Sequence, residues 1–276
     1  MSELIQAIAP LLATIRHALL LSAALFAVIF FFEWQQGSDP RRYLSRNFLN
    51  DVGYMLFYQG GVYQFLLFAP LLGIVQARLS FFRVGIIEGL PIPGPSRYVL
   101  YWLVLDFIAY WLHRYQHHNR WLWAFHSVHH TQTRPTLLTT YRNHLLDQLS
   151  SGLMMAVPLL ILGIPPSVWL PFYALQYLSE SAQHSELNWR FGPLYGVIVS
   201  PVFHAFHHST DPAHHNRNFG KMLSLWDHVF RTAVSGPRPE RYGVEGLVVP
   251  ETLTSQFLAP FRILLRGAEP KGRPQP

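Results

Sequence analysis

Between Leu149 and Ser179 the chain carries no charged side chain, and the same is true from Val52 to Val75. A helix needs about 20 predominantly apolar residues to cross the hydrocarbon core of a bilayer. Val52–Val75 is long enough for one span. Leu149–Ser179 is long for one, and Gly163-Ile164-Pro165-Pro166 sits at its middle, so it is expected to form a helical hairpin that bends there. Upstream, Ala18 to Phe32, extended by Leu4 to Ile15 across Pro10 and Arg16, supplies another span. Tyr98 to Leu112 is a further apolar stretch interrupted only by Asp106, and the proline-rich residues 88–96 connect it to what precedes. The expected fold class is all-α: an integral membrane helical bundle of about four to five spans, hairpin included, with a histidine-rich helical cap on the cytosolic side.

Composition agrees with a membrane protein. Charged residues make up 13 % of the chain and apolar residues 50 %, against about 25 % charged in typical soluble domains. The formal net charge is +6, but the basic residues cluster beside apolar runs, where they read as membrane-flanking anchors and not as a nucleic-acid surface. The first apolar run is too long for a signal peptide, and no small-residue cleavage site follows it. With no cysteine in the chain, disulfides, thiolate ligands and a cysteine nucleophile are excluded.

Orientation follows from the basic loops. Arg41, Arg42 and Arg46 fall on one side, and two further crossings bring Arg114, Arg120, Arg134 and Arg142 to that same side. The positive-inside rule makes it cytoplasmic, as in a bacterial inner membrane or an ER-like membrane. Arg78 and Arg83 are the exceptions to this scheme.

Fourteen of the fifteen histidines lie between His113 and His228. They form an HxxxH box (His113, His117), an HxxHH box (His126, His129, His130), the lone His184, and a second HxxHH box (His204, His207, His208). On a helix, residues three and four apart share a face, so each box is expected to aim at one centre. Neutral imidazole is the commonest protein metal ligand. The boxes and His184 supply nine histidines, and one first-row ion takes about six ligands at most, so at least two metals are expected. Imidazole by itself suits zinc, copper, iron or nickel.

Other residues are candidates for supporting roles. Asp106 lies two helical turns before His113, and a carboxylate inside an apolar span is costly and functional by default. It is expected to accept a hydrogen bond from a ligand histidine and fix its tautomer. Asp211 and Asp227 either do the same or organise loops. Asn188, four residues after His184, is expected to share its face and offer an oxygen. His118, His144, His214, His215 and His228 fit surface or supporting positions better than ligands. Trp111, Trp121, Trp123 and Trp189 read as an interfacial aromatic belt.

The pattern resembles the fatty acid hydroxylase/sterol desaturase superfamily of membrane di-iron oxygenases. Asp106-Phe-Ile-Ala-Tyr110-Trp111-Leu-His113-Arg114 is similar to that family's approach to its first box. His207-His208-Ser209-Thr210-Asp211-Pro212, Asn218-Phe219-Gly220 and Trp226-Asp227-His228-Val229-Phe230 are similar to its third-box region. The chain departs from the pattern at Arg231-Thr232, where the family usually carries Gly-Thr. The resemblance implies two irons as cofactors, O2 as co-substrate, and hydroxylation or desaturation of a C–H bond in a sterol, fatty acyl or related lipid. Amino acid side chains alone cannot cleave such bonds, so the metal carries the hard step. No haem or flavin motif is visible, which makes a separate cytochrome b5-, ferredoxin- or flavoprotein-type electron donor the expected partner.

Two other readings fit less of the sequence. A zinc-dependent membrane hydrolase needs about three ligands and a glutamate base, whereas this chain has nine clustered histidines and no HExxH. A non-catalytic membrane metal carrier places polar groups near the midplane, whereas these boxes follow the spans. The expected organisation is 1–97 for N-terminal spans and connector, 98–235 for the catalytic domain, and 236–276 for a peripheral tail.

Overall fold

The computed structural model of the chain describes residues 2–79, 81, 84–244 and 252–266; Arg83 lies outside them. Among these residues the secondary structure is helical, with two isolated β-bridges, Ile198–Leu223 and Ser209–Tyr242. Helix α1 runs from Ser2 to Gln35 through Pro10. Helix α2 (Arg46–Gln59) is followed by a π-helical segment (Gln64–Phe68) and α3 (Ala69–Leu79), the pair bending by 45°. Helix α4 (Gly94–His118) leads into α5 (Arg120–His130), then α6 (Leu145–Leu162) and α7 (Pro166–Gln183). Short helices α8 (Pro201–His207) and α9 (Leu225–Val229) and the longer α10 (Leu253–Arg266) complete the order.

The expected hairpin is present. Gly163 ends α6 at φ 66°, a left-handed position that glycine takes without Cβ strain, and Pro165 and Pro166 begin α7. Two helices, Ala9–Gln35 and Leu145–Leu162, are long and apolar enough to cross a membrane, and the bent α2–α3 pair adds a third if it is one span. α4 and α7 fall short of that test. Each carries polar groups on a face turned inward: Asp106, His113, Gln116 and His117 on α4, Ser181 and Gln183 on α7.

Two apolar clusters position the histidine helices. One joins α4 to the hairpin through Tyr101, Leu105, Ala109, Met155, Leu159, Val168 and Phe172. The other joins Ile29 of α1 and Tyr54 of α2 to Val128, Leu137, Leu138, Tyr141 and Leu187. Segment 1–97 therefore shares a core with the histidine helices.

Buried ion pairs fasten the same junction. Arg142 donates through Nε to Asp51 Oδ1 at 2.5 Å, and both side chains are fully buried. Arg42 Nη2 lies 2.6 Å from Glu33 Oε2, again buried. Arg42 and Arg142, two of the basic residues that set the expected orientation, are thus committed to the interior. The segment expected as a peripheral tail contributes α10, whose Gln256 is fully buried and whose Phe261 packs edge-on against Phe125 of α5, with ring centroids 5.5 Å apart. The strong amphipathic pattern of that helix is what allows it to pack there.

Candidate metal centre

A single residue turns the chain from the first histidine box to the second. Asn119 ends α4 and caps α5, its side-chain oxygen accepting from the Trp121 and Leu122 N–H groups. Ser200, followed by Pro201 at the first helical position, starts α8 in the same way. α5 and α8 consequently present their boxes to the end of α4.

The nine histidines come together as two groups, each able to hold a metal ion. His113, His117, His126, His130 and His207 form one, and His129, His184, His204 and His208 the other. Within each group, every ring offers a nitrogen within 4.8 Å of the rest, and all nine are buried. The expectation that each HxxHH box faces one centre does not hold. The residues four apart stay together (His126 with His130, His204 with His208), while His129 and His207 turn to the opposite group. A helix advances about 100° per residue, so the middle histidine of such a box falls about 60° to one side of the first and the last about 40° to the other, and the two diverge. The groups adjoin: the His130 and His208 rings stack with centroids 4.4 Å apart.

The donor atoms fit metal ions. In the five-histidine group all five Nε2 atoms are buried and without a hydrogen-bond partner. Buried polar atoms are ordinarily satisfied, so five converging orphans in one place call for an ion. In the four-histidine group, His184 Nε2 lies 3.0 Å from His129 Nε2 and 3.1 Å from His204 Nε2, which is 3.1 Å from His208 Nε2. Nitrogens this close can share one ion bound about 2.1 Å from each. Burial, reinforced by neighbouring imidazoles, holds the pKa of His113, His117, His129, His130, His204 and His208 well below the usual histidine range. His207 is lowered in the same way despite the Arg217 carbonyl opposing it. His184 is lowered to about 4, chiefly by burial, with Glu180 opposing. All eight are therefore neutral near pH 7, the form that binds metal.

Four outer nitrogens have partners, three of them backbone carbonyls, while Nδ1 of His129, His204 and His208 is buried without one. His113 Nδ1 donates to the Phe219 carbonyl at 2.8 Å, His207 Nδ1 to the Arg217 carbonyl at 2.9 Å, and His184 Nδ1 to the Glu180 carbonyl at 2.7 Å. These bonds leave Nε2 as the lone-pair nitrogen aimed at each group. One carboxylate takes part directly. Asp147 Oδ2 lies 3.1 Å from His126 Nδ1, while its Oδ1 accepts from Gln116 Nε2 at 2.6 Å. Sequence reasoning missed Asp147. The available signal was a lone acid immediately before a long charge-free run.

The residues expected to support the ligands are placed differently. Asp106 bonds no histidine. Its oxygens accept from the Met222 N–H (3.0 Å), the Leu223 N–H (3.2 Å) and Trp226 Nε1 (2.8 Å), so it anchors a loop to α4. Its inward face met that loop before any imidazole. Asp227 tightens the same loop, accepting from the Phe219 and Gly220 N–H groups at 2.8 and 2.7 Å and from the Thr232 hydroxyl at 2.6 Å. It thereby sets the Phe219 carbonyl that receives His113. A Cβ on Gly220 would sit 2.6 Å from the Leu223 carbonyl and 2.9 Å from Asp227, so this close approach requires glycine. Arg231 adopts φ 58°, where the family usually has glycine, and the turn still closes through Thr232 N–H to the Asp227 carbonyl at 2.8 Å. Asp211 caps a short 3-10 turn by accepting from the Ala213 N–H, a loop role. Asn188 is exposed, and its N–H donates to Gln36. α7 ends at Gln183, so the helical spacing that would align Asn188 with His184 is absent. Trp123, assigned to the aromatic belt, is buried at the site instead, its ring centroid 4.8 Å from that of His117 and 5.3 Å from that of His130. His118, His144, His214, His215 and His228 lie outside both groups.

Residues 98–232 match the model of the fatty acid hydroxylase family. The chain is similar to ornithine lipid hydroxylase OlsE of Rhizobium tropici (32 % identical, over 65 % of this chain and 56 % of that protein). It is also similar to alkylglycerol monooxygenase of Danio rerio (34 %, over 52 % and 32 %) and methylsterol monooxygenase 1-3 of Arabidopsis thaliana (27 %, over 54 % and 53 %). The chain thus spans about half the length of these curated relatives, or less. No solved structure matches it.

Proposed function

The chain belongs, through residues 98–232, to the fatty acid hydroxylase family, and from that premise we propose that it is a membrane-bound, di-iron, O2-dependent oxidoreductase acting on a C–H bond of a lipid. The observation that carries this reading is the pair of adjoining, fully buried histidine groups with converging unpartnered nitrogens. Two irons bound there would supply the reduction of O2 and the cleavage of the C–H bond. Hydroxylation would consume one O2, two electrons and two protons, giving the lipid alcohol and one water.

The protein's own part is geometric and electrostatic. Backbone carbonyls of Phe219, Arg217 and Glu180 and the Asp147 carboxylate hold ligand rings in one tautomer. Trp123 and Phe219, packed on the five-histidine rings, exclude water from that side. A polar lipid headgroup, as in the ornithine lipid, alkylglycerol and methylsterol of the relatives' names, would stay near the interface while the reacting carbon reaches the metals. The spans comprise α1, the α2–α3 pair, the Tyr98–Leu112 stretch of α4 and the α6–α7 hairpin, with the histidine groups on the cytoplasmic face. Arg120 and Arg134 are exposed and Arg114 half-exposed, and these would attract an acidic electron donor. Arg142 has no such role, being fully buried.

The test is expression of the chain in a host lacking it, with lipid mass spectrometry under 18O2 and metal analysis of the purified protein. The expected result is a lipid gaining one 18O atom, or losing two hydrogens, with close to two irons per chain. Full lipid-modifying activity with a single metal would overturn the two-site reading.

A further inference from the structure

His184 belongs to none of the boxes and stands at the end of a helix. It is the C-cap of α7, so the chain beyond it has no helical ladder to fix it. Its ring is nonetheless central to the four-histidine group, 3.0 Å from His129 and 3.1 Å from His204. The segment that follows is gripped by residues outside the family-matched region. Glu33, in the last turn of α1, accepts from the Glu186 N–H at 2.7 Å. Arg42 pairs with Glu33 at 2.6 Å and also with the Glu186 carboxylate, and the Tyr43 hydroxyl donates to Glu33. Gln36 accepts from the Asn188 N–H at 2.8 Å. From the opposite side, Arg238 donates to the Ser185 and Leu187 carbonyls at 2.8 and 2.6 Å. Glu33 and Arg42 are only 1 % and 2 % exposed.

The five-histidine group is held differently. Three of its five rings, His113, His207 and His126, bond through Nδ1 to Phe219, Arg217 and Asp147, all within 98–232. Removing two charges from water is costly, and such a pair persists where its geometry is well satisfied. Here Glu33 and Arg42 satisfy one another and a backbone N–H two residues past a candidate ligand.

We propose that Glu33, Arg42 and Arg238 are positioning residues for the four-histidine group, so that the second metal site is completed by parts of the chain outside the family domain. This rests on the reading that both groups hold metal. The five-histidine rings are then oriented by bonds made within 98–232, and His184 of the four-histidine group is held in place only when α1 and the Arg238 loop grip the segment that follows it.

The test uses the full chain purified in detergent, reconstituted anaerobically with ferrous iron and equilibrated with a weak chelator. Glu33→Gln keeps the side-chain shape and leaves the Arg42–Glu186 pair intact. The expected result is about one iron per chain where the wild type holds about two, with affinity at one site weakened by about 10- to 100-fold and the other unchanged. Mössbauer spectra should lose the magnetic coupling between the two ions. Arg238→Gln loosens the same segment without touching the buried pair and should give the same one-site loss, which keeps the test open if Glu33→Gln fails to fold. Asp51→Asn breaks another buried ion pair, beside the helix end that carries His129 and His130, one from each group; its effect should fall on both sites alike. Full iron content in folded Glu33→Gln and Arg238→Gln, parallel loss at both sites, or the same one-site loss in Asp51→Asn each overturns the proposal. A wild-type chain that never holds more than one iron overturns the two-site reading itself, and this proposal with it.

Discussion

Replacing Asp147 with asparagine should switch the tautomer of one ligand without changing the shape of the site. The carboxylate accepts two hydrogen bonds in the interior, from His126 Nδ1 at 3.1 Å and from Gln116 Nε2 at 2.6 Å. An asparagine has one acceptor oxygen and one donor amide. If the oxygen stays with Gln116, the NH2 group faces His126 Nδ1, which must then accept, and the imidazole proton moves to Nε2. That nitrogen is the buried, unpartnered one converging on the five-histidine group, and while protonated it cannot bind metal. A hydrogen bond to a charged group is worth about 1.5–3 kcal/mol, and about 1.4 kcal/mol is a factor of ten in an equilibrium constant. The five-histidine site should therefore lose about 10- to 100-fold in iron affinity, the range found when such outer partners are removed. Competition against a chelator of known affinity, with iron counted per chain, measures this directly, and the four-histidine site serves as the internal reference. Wild-type affinity in Asp147→Asn, or an equal loss at both sites, would refute the tautomer argument.

Three further outcomes follow from the geometry. Asp106→Asn leaves at least one of three donors (Met222 N–H, Leu223 N–H, Trp226 Nε1) without an acceptor, so it should cost about 1–3 kcal/mol of stability in thermal unfolding while both metals are retained; metal loss without destabilisation would contradict this. His113, His117, His129, His130, His184, His204, His207 and His208 are held neutral below their ordinary pKa, so as pH falls below about 6.5 the unfolded chain takes up protons that the folded chain refuses. Stability of the metal-free protein should accordingly fall from about pH 6.5 down through about 4, where His184 titrates in the folded state, and unfolding midpoints that stay flat between pH 7 and pH 5 would argue against it. Finally, because the chain has no cysteine of its own, single cysteines at Leu44 and Gly236 should label in intact cells only with permeant thiol reagents, and one at Leu90 with impermeant reagents; impermeant labelling at residue 236 would overturn the cytoplasmic orientation.

The nine histidines and the hairpin were legible in the sequence because both depend on local rules. Box spacing matches helical geometry, and Gly163 followed by two prolines can only end one helix and start another. The partition of the histidines was not legible. His129 and His130 are neighbours in sequence yet serve different groups, because one flank of α5 meets His113, His117 and His207 and the other meets His184, His204 and His208. Asp106 was recognised as unusual but given the wrong partner, since nothing local shows that the loop at 222–226 folds back across α4. Asp147 was overlooked because a single acid beside an apolar run has no distinctive spacing, and Arg42 and Arg142 were counted as surface charges because burial is a property of the assembled chain. The sequence by itself determined which side chains can bind metal and which segments become apolar helices, because ligand type and periodicity are written residue by residue. Tertiary structure decided which imidazoles face one another, which carboxylate meets a ring and which arginines leave water, because those depend on contacts between segments as far apart as Glu33 and Glu186, whose encounter no local pattern encodes.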